Sequence, residues 1–232
     1  MKNPLVVEVT RGASIESVHL VDIALVDNTG NLVEGWGESS RPTLPRSALK
    51  PIQATPLITE GLADSESLTA QQLAMACSSH NGEARHVEVV DRWLERLGFS
   101  HNVLECGAHI PSNPQAARDL ALSGIQPDSR HNNCSGKHTG FVCLSKHFDL
   151  DVSGYISPDH PVMKRFVTPA IEDFCRIALS DQVPGVDGCG VPVWSIPLSH
   201  LAGGWSQLRT RGSGRRLLQA MVDEPFLVAG TD

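Results

Sequence analysis

Arg46-Ser47-Ala48-Leu49-Lys50-Pro51 lies where strand-like alternation gives way to helical periodicity, and it sets a serine hydroxyl three residues before a lysine amine. Residues at this spacing share a helix face, so Ser47 Oγ and Lys50 Nζ are expected within hydrogen-bond reach, a nucleophile beside a base. Pro51 marks a first helical turn, where the missing N–H leaves no interior hydrogen bond unmade, and Ser47 then falls at or near the cap. A free lysine titrates near ~10.4, so a base at neutral pH needs the large downward shift that burial supplies. The helix N-terminus adds to that shift, and its free N–H groups suit an oxyanion. The same spacing arises by chance about once in a chain of this size at ordinary composition, and serine is a routine cap. Its weight therefore depends on the rest of the chain.

Upstream, Leu20-Val21-Asp22-Ile23-Ala24-Leu25-Val26 and Leu32-Val33-Glu34-Gly35-Trp36 flank a turn at Asn28-Thr29-Gly30-Asn31. This reads as a β-hairpin preceded by another short strand. Downstream, helices are expected from Ser47 to about Gly61 and from Leu68 to Cys77. Val87, Val90, Leu94 and Leu97 recur at helical spacing between Glu83 and Leu97, with Gly98 as the stop. Asn113-Pro114 caps a shorter helix ending before Gly124, and Ser135 to Phe148 follows as another. Val162 to Leu179 reads as a helix with Val167, Ile171, Phe174 and Ala178 inward and a kink at Pro169. Gly203 to Arg216, rich in glycine and arginine, reads as a mobile loop before a short helix from Arg215 to Val222. Strands first and helices after them make the class α+β.

With 232 residues, 41% of them apolar and 19% charged, the chain can bury a sizeable core and does not have the composition of a disordered one. A net charge of −7 without a basic run argues against nucleic acid or an anionic membrane as partner. The N-terminus lacks the pattern of a signal peptide and no membrane-spanning stretch follows, so a cytoplasmic protein is expected. Six cysteines in that compartment are thiols, ligands or core residues before they are disulfides, and Cys77, Cys106, Cys143 and Cys175 are expected to be buried.

Two more stretches carry chemistry. His131-Asn132-Asn133-Cys134-Ser135-Gly136-Lys137-His138 and Val186-Asp187-Gly188-Cys189-Gly190 are polar turns, each with a cysteine at the bend. If the two cysteines meet, their thiolates with a nitrogen of Lys137 or His138 could bind zinc and leave a fourth position open. Neither a Cys-x-x-Cys pair nor a His-Glu-x-x-His helix is present, and the alternative is two unpaired loop thiols. Ala76-Cys77-Ser78-Ser79-His80-Asn81-Gly82-Glu83-Ala84-Arg85-His86 is a helix end, a polar turn and a new helix start, able to present a second serine or simply to cap the next helix.

Together with Cys106-Gly107-x-His109, Pro158-Asp159-His160-Pro161 and Asp187-Gly188-Cys189-Gly190-x-Pro192, these stretches resemble, in matching order, the asparaginase II family of thermolabile Rhizobium-type L-asparaginases. The Asn-Cys-Ser-Gly-Lys-His run is the most specific part. The resemblance implies a fold related to serine β-lactamases and glutaminases, an antiparallel sheet with a helical part. It also implies hydrolysis of the side-chain amide of L-asparagine to aspartate and ammonia through two serine–lysine tandems beside a zinc site. By motif position, Ser47 with Lys50 is the first tandem and Ser79 the serine of the second. Cys134, Lys137 and Cys189 fall at the zinc ligands, and Arg46, His80 and Asp187 line the substrate pocket. Arg46 suits an α-carboxylate and Asp187 an α-ammonium. A homodimer is the expected assembly.

The family continues past Pro225-Phe226-Leu227-Val228-Ala229-Gly230 into a part that carries the second tandem's lysine and further strands. Residues 1–232 thus read as a single truncated domain, with strands at about 5–37, a mainly helical part at about 47–232, and an incomplete sheet. An inactive relative that binds zinc or a protein partner is the competing function. Penicillin-binding proteins and β-lactamases share serine-x-x-lysine, but Ser-Asp-Asn and Lys-Thr-Gly are absent. A zinc nucleobase deaminase would need His-x-Glu and Pro-Cys-x-x-Cys, also absent.

Overall fold

The computed structural model describes residues 2–231. Its N-terminal part is two successive antiparallel hairpins, β1 (Leu5–Arg11) with β2 (Ser14–Val21), and β3 (Ile23–Val26) with β4 (Leu32–Trp36). Leu20 and Val21, expected in the second hairpin, belong to β2, because Asp22 interrupts the run: its carboxylate accepts from the Glu38 amide and pairs with Arg41. The turn between β3 and β4 is organised by Asp27, whose Oδ1 accepts from Thr29 N and Asn31 N. Both faces of the first hairpin are open, with Val6 57% and Leu20 72% exposed.

The remaining strands are short: β5 (Pro42–Thr43) pairs with β8 (Ile196–Pro197), and β6 (Gly185–Val186) with β7 (Pro192–Val193). Among the described residues the strands form four separate two-stranded sheets, consistent with α+β but without one continuous β-lactamase-like sheet.

The core lies in the helical part and runs from Leu49 to Leu227. The single helix expected from Ser47 to Gly61 is broken into a 3-10 turn at Arg46–Leu49, then α1 (Lys50–Gln53), α2 (Pro56–Thr59) and α3 (Leu62–Ser65). Pro51 and Pro56 each open a new turn and so divide it. In α4 (Ala70–Cys77), Thr69 and Gln72 cap each other reciprocally. α5 (Ala84–Leu97) buries Val90, Trp93, Leu94 and Leu97 and ends at Gly98 in the left-handed conformation. Asn113 caps α6 (Pro114–Leu122) by accepting from Ala116 N at 2.9 Å.

α7 (Ser135–His147) is the central helix, with every residue from Ser135 to Ser145 buried. A π-helical turn at Met163–Val167 leads into α8 (Thr168–Cys175), which Arg176 ends at φ +52°. The break expected at Pro169 therefore takes the form of a widened turn before the proline. Val167, Ile171 and Phe174 point inward, but Ala178 lies beyond α8 and is exposed.

The mobile loop expected over 203–216 is absent. α9 (Leu198–Thr210) and α10 (Gly212–Asp223) occupy it with a break at Arg211, and α11 (Pro225–Val228) follows. The glycines serve close packing: a Cβ on Gly204 would come within 2.9 Å of both Cys175 Sγ and Ile52 Cδ1. Two of the segment's four arginines are anchored too, Arg211 on Asp173 and over the Phe174 ring, and Arg216 on Asp64 at 2.7 Å. All six cysteines are buried and free. No described helix is long and apolar enough to cross a membrane.

Asp128 caps the turn that leads into α7 and pairs with Arg130, which also reaches Asp91 at 2.7 Å. Burial works to raise the Asp128 carboxyl, but the hydrogen bonds and charge of Arg130 outweigh it and hold the group at about 2. A depressed folded-state value contributes stability that is fully present above the ordinary carboxylate range and is lost as pH falls through about 2. Between pH 5 and 2, urea midpoints should fall for the native chain and fall less for Asp128→Asn. The difference at pH 7, discounted for solvent screening of this partly exposed pair, is about 1 kcal/mol. Parallel pH profiles would remove Asp128 as the cause.

Candidate active site

Lys50 is 1% exposed, yet its amine meets polar groups on a neighbouring element. Nζ donates to the Ser78 carbonyl at 2.5 Å and lies 2.6 Å from Ser79 Oγ. Both partners follow the C-terminus of α4. Ser79 is exposed while Ser78 is buried, so a solvent-facing hydroxyl is backed by a buried amine. Burial drives the Lys50 amine down towards its neutral form, which the nearby Lys137 assists and Cys134 opposes.

The expected contact between Ser47 and Lys50 is not made. The chain is a 3-10 turn at Ser47, and its side chain is exposed and has no hydrogen bond to Lys50. Lys50 turns inward to Ser79, so the serine expected to lack a lysine partner has one.

α7 approaches Ser78 and Ser79 because Gly136 lets it cross α4 closely. A Cβ on Gly136 would sit 2.3 Å from the Met75 carbonyl oxygen. The crossing carries Cys134, Lys137 and His138 toward Lys50. Asn132 fixes the entry to α7: its Oδ1 accepts from Cys134 N at 2.9 Å and its amide donates to the Cys106 and Gly107 carbonyls.

Cys189 arrives from the loop between β6 and β7, and Lys137 Nζ donates to its Sγ at 3.2 Å. Interaction between the two sulfurs pushes the Cys134 thiol up and holds Cys189 well below the usual thiol range, so of the two Cys189 favours the thiolate. Two soft sulfurs and one amine thus converge, and this donor set suits zinc once Cys134 and Lys137 give up their protons. Among the described residues no group of three or more His, Cys, Asp and Glu side chains gathers, so any metal here would depend on the lysine as third ligand.

Arg46 and Asp187 meet at the rim. Arg46 Nε donates to Asp187 Oδ1 at 3.2 Å, with Arg46 exposed and Asp187 half-buried. Arg46 adopts φ +46°, a conformation that costs a side-chain-bearing residue about 1 kcal/mol or more. His80 is 1% exposed: its Nδ1 accepts from Gly82 N at 3.1 Å, which leaves Nε2–H to donate to Ser135 Oγ at 2.8 Å. Burial, with the neighbouring His86 and Lys50, holds His80 far below the usual histidine range and so neutral. His80 stacks on His86, and His86 on Phe226. Alongside, Ser79 N donates to the Val228 carbonyl and Asn81 N to that of Ala229, so the end of the described chain braces the serine turn.

Ser135 and Tyr155 escaped sequence reasoning as members of this constellation, whereas His138, read as the alternative to Lys137 for a zinc nitrogen, hydrogen-bonds Tyr155 through Nδ1 at 2.9 Å. Tyr155 is the sole tyrosine of the chain, the one signal that could have singled it out. A cleft of about 890 Å³ between α5 and α6 is lined by Gly82 and Glu83 but by none of the serine, lysine or cysteine groups above. The chemistry marks the site more surely than this concavity does.

No curated protein matches the sequence. The family model described as L-asparaginase II matches residues 7–232, a span that contains every group just described, and the chain belongs to the L-asparaginase II family.

Proposed function

We propose that this chain hydrolyses the side-chain amide of L-asparagine through a serine ester, with Ser79 as nucleophile and Lys50 as its base. The family supplies the amidohydrolase activity on a small-molecule substrate. The observation that carries the residue assignment is the 2.6 Å separation of Lys50 Nζ from the exposed Ser79 hydroxyl. A neutral amine donates one N–H to the Ser78 carbonyl and accepts the Ser79 proton on its lone pair. Ser79 Oγ then bonds to the amide carbon. The protonated Lys50 gives its proton to the departing nitrogen, the C–N bond breaks and ammonia leaves. Water, deprotonated by Lys50, splits the aspartyl ester and frees Ser79.

Asp187 is suited to the α-ammonium of the substrate and Arg46 to its α-carboxylate, so the ion pair they form with each other opens as substrate enters. His80, neutral and tied to Ser135, offers a fixed imidazole at the wall behind Ser79. Cys134, Lys137 and Cys189 would hold zinc, which supplies a compact positive charge beside the lysine when bound.

The test is stoichiometric release of ammonia and aspartate from L-asparagine, with hydroxylamine added to intercept the ester. Formation of aspartyl hydroxamate at the expense of aspartate is the expected result. Ammonia release with no partition to hydroxamate would exclude the serine ester, and no release at all would favour the inactive, ligand-binding relative.

A further inference from the structure

Tyr155 is fully buried beneath the cysteine pair and makes two hydrogen bonds. Its Oη accepts from the Glu105 main-chain N–H at 2.8 Å and lies 2.9 Å from His138 Nδ1. Burial pushes the phenol far above its usual range, so it keeps its hydrogen. With one Oη lone pair facing the Glu105 amide, that hydrogen has Nδ1 as its acceptor, and the imidazole hydrogen is left on Nε2. The reverse arrangement would leave the phenol hydrogen without an acceptor and turn a bare nitrogen lone pair towards a sulfur.

His138 is itself fully buried, and its Nε2 has no hydrogen-bond partner at normal distance. With Nδ1 engaged by Tyr155, Nε2 is the ring nitrogen left for the neighbouring Cys189 sulfur, with which the imidazole interacts favourably. The ring is wedged, edge-on to Tyr155 at 5.5 Å between centroids and tilted against Phe141 at 6.0 Å. The cysteine loop is seated on the same support: Gly190 adopts φ +86°, and a Cβ there would come within 3.0 Å of Ile156 Cδ1.

We propose that Tyr155 and His138 are positioning residues for Cys189: the tyrosine hydroxyl sets the imidazole with its hydrogen on Nε2, and that N–H is held for the Cys189 sulfur when it binds a soft metal ion. The line from the Glu105 amide through Tyr155 and His138 to Cys189 is an outer shell that orients a thiolate ligand and neutralises part of its charge. The metal part rests on the reading of Cys134, Lys137 and Cys189 as zinc ligands. The tautomer part does not.

Two measurements separate them. In metal-free protein labelled with nitrogen-15 histidine, imidazole spectra should show His138 protonated on Nε2 in the native chain and lose that fixed form in Tyr155→Phe. A native His138 protonated on Nδ1 overturns the proposal. Zinc alone, in competition with a chromophoric chelator, should bind Tyr155→Phe and His138→Leu about 10- to 100-fold more weakly than the native chain. His138→Gln, which retains an N–H donor, should recover part of that loss. Cobalt as a probe should show a shifted sulfur-to-metal absorption band in Tyr155→Phe, a change that a general loss of stability does not produce. Equal zinc affinities and unshifted bands in folded variants overturn the positioning role, whereas a native chain that binds no zinc overturns the metal reading and leaves the tautomer to be judged by the imidazole spectra.

Discussion

Ser79→Ala is expected to reduce ammonia release from L-asparagine by about 10³-fold or more, and Ser47→Ala by about 10-fold or less. The asymmetry follows from the position of the amine. Lys50 Nζ is 2.6 Å from Ser79 Oγ, and Ser47 makes no hydrogen bond to it. The Ser79 side chain is exposed and its hydroxyl meets only Lys50 in the described chain, so its loss should leave the unfolding midpoint within about 0.5 kcal/mol of the native value. A nucleophile and its base act as a unit. Adding Lys50→Met to Ser79→Ala should therefore cost little beyond either change alone, although Lys50→Met by itself leaves the buried Ser78 carbonyl without its donor. Should Ser47→Ala abolish turnover while Ser79→Ala keeps most of it, the tandem with Ser47 as nucleophile is the correct one.

Gly136→Ala should destabilise the chain by about 4 kcal/mol or more, enough to prevent folding at 37 °C. The atoms that a new methyl would meet are backbone and Cβ, which cannot swing aside: Met75 O at 2.3 Å, Met75 C at 2.7 Å and Met75 Cβ at 2.9 Å. Relief requires α7 to part from α4. That crossing sets Lys137 and Cys134 beside Lys50, so a variant that survives should lose zinc affinity and turnover together. Gly107→Ala provides the control, because Gly107 has open space around its Cβ position and a φ of +76°. It should cost only the strain of that φ, about 1 kcal/mol. A Gly136→Ala protein that melts within 1 kcal/mol of native would show that the crossing is less tight than this.

Local chemistry was legible wherever neighbours in sequence are also partners in space. Asn113 with Pro114, Gly98 after an apolar stripe, and the turn at Asn28 to Asn31 each satisfy their own backbone and appear as expected. The order of strands before helices gave the class, and the run Asn133 to His138 gave the family. Reading glycine as a loop signal failed at Gly203 and Gly204. The same missing Cβ that frees an isolated backbone also lets helices touch, and which of these applies depends on what lies opposite.

The partner of Lys50 was likewise outside the reach of sequence. Spacing within a helix points to Ser47, but the 3-10 turn sends that hydroxyl outward, and the packing of α1 against α4 turns the buried amine to Ser79, 29 residues away. Cys134, Lys137 and Cys189 were nameable as ligands from their motif. That Cys189 rather than Cys134 favours the thiolate, and that His138 and Tyr155 stand behind it, follows only from the loop between β6 and β7 folding onto the start of α7. Sequence specifies which groups can ionise, donate or attack, because those are properties of single side chains. Which of them do so together is decided by burial and approach across elements, and these exist only in the folded chain.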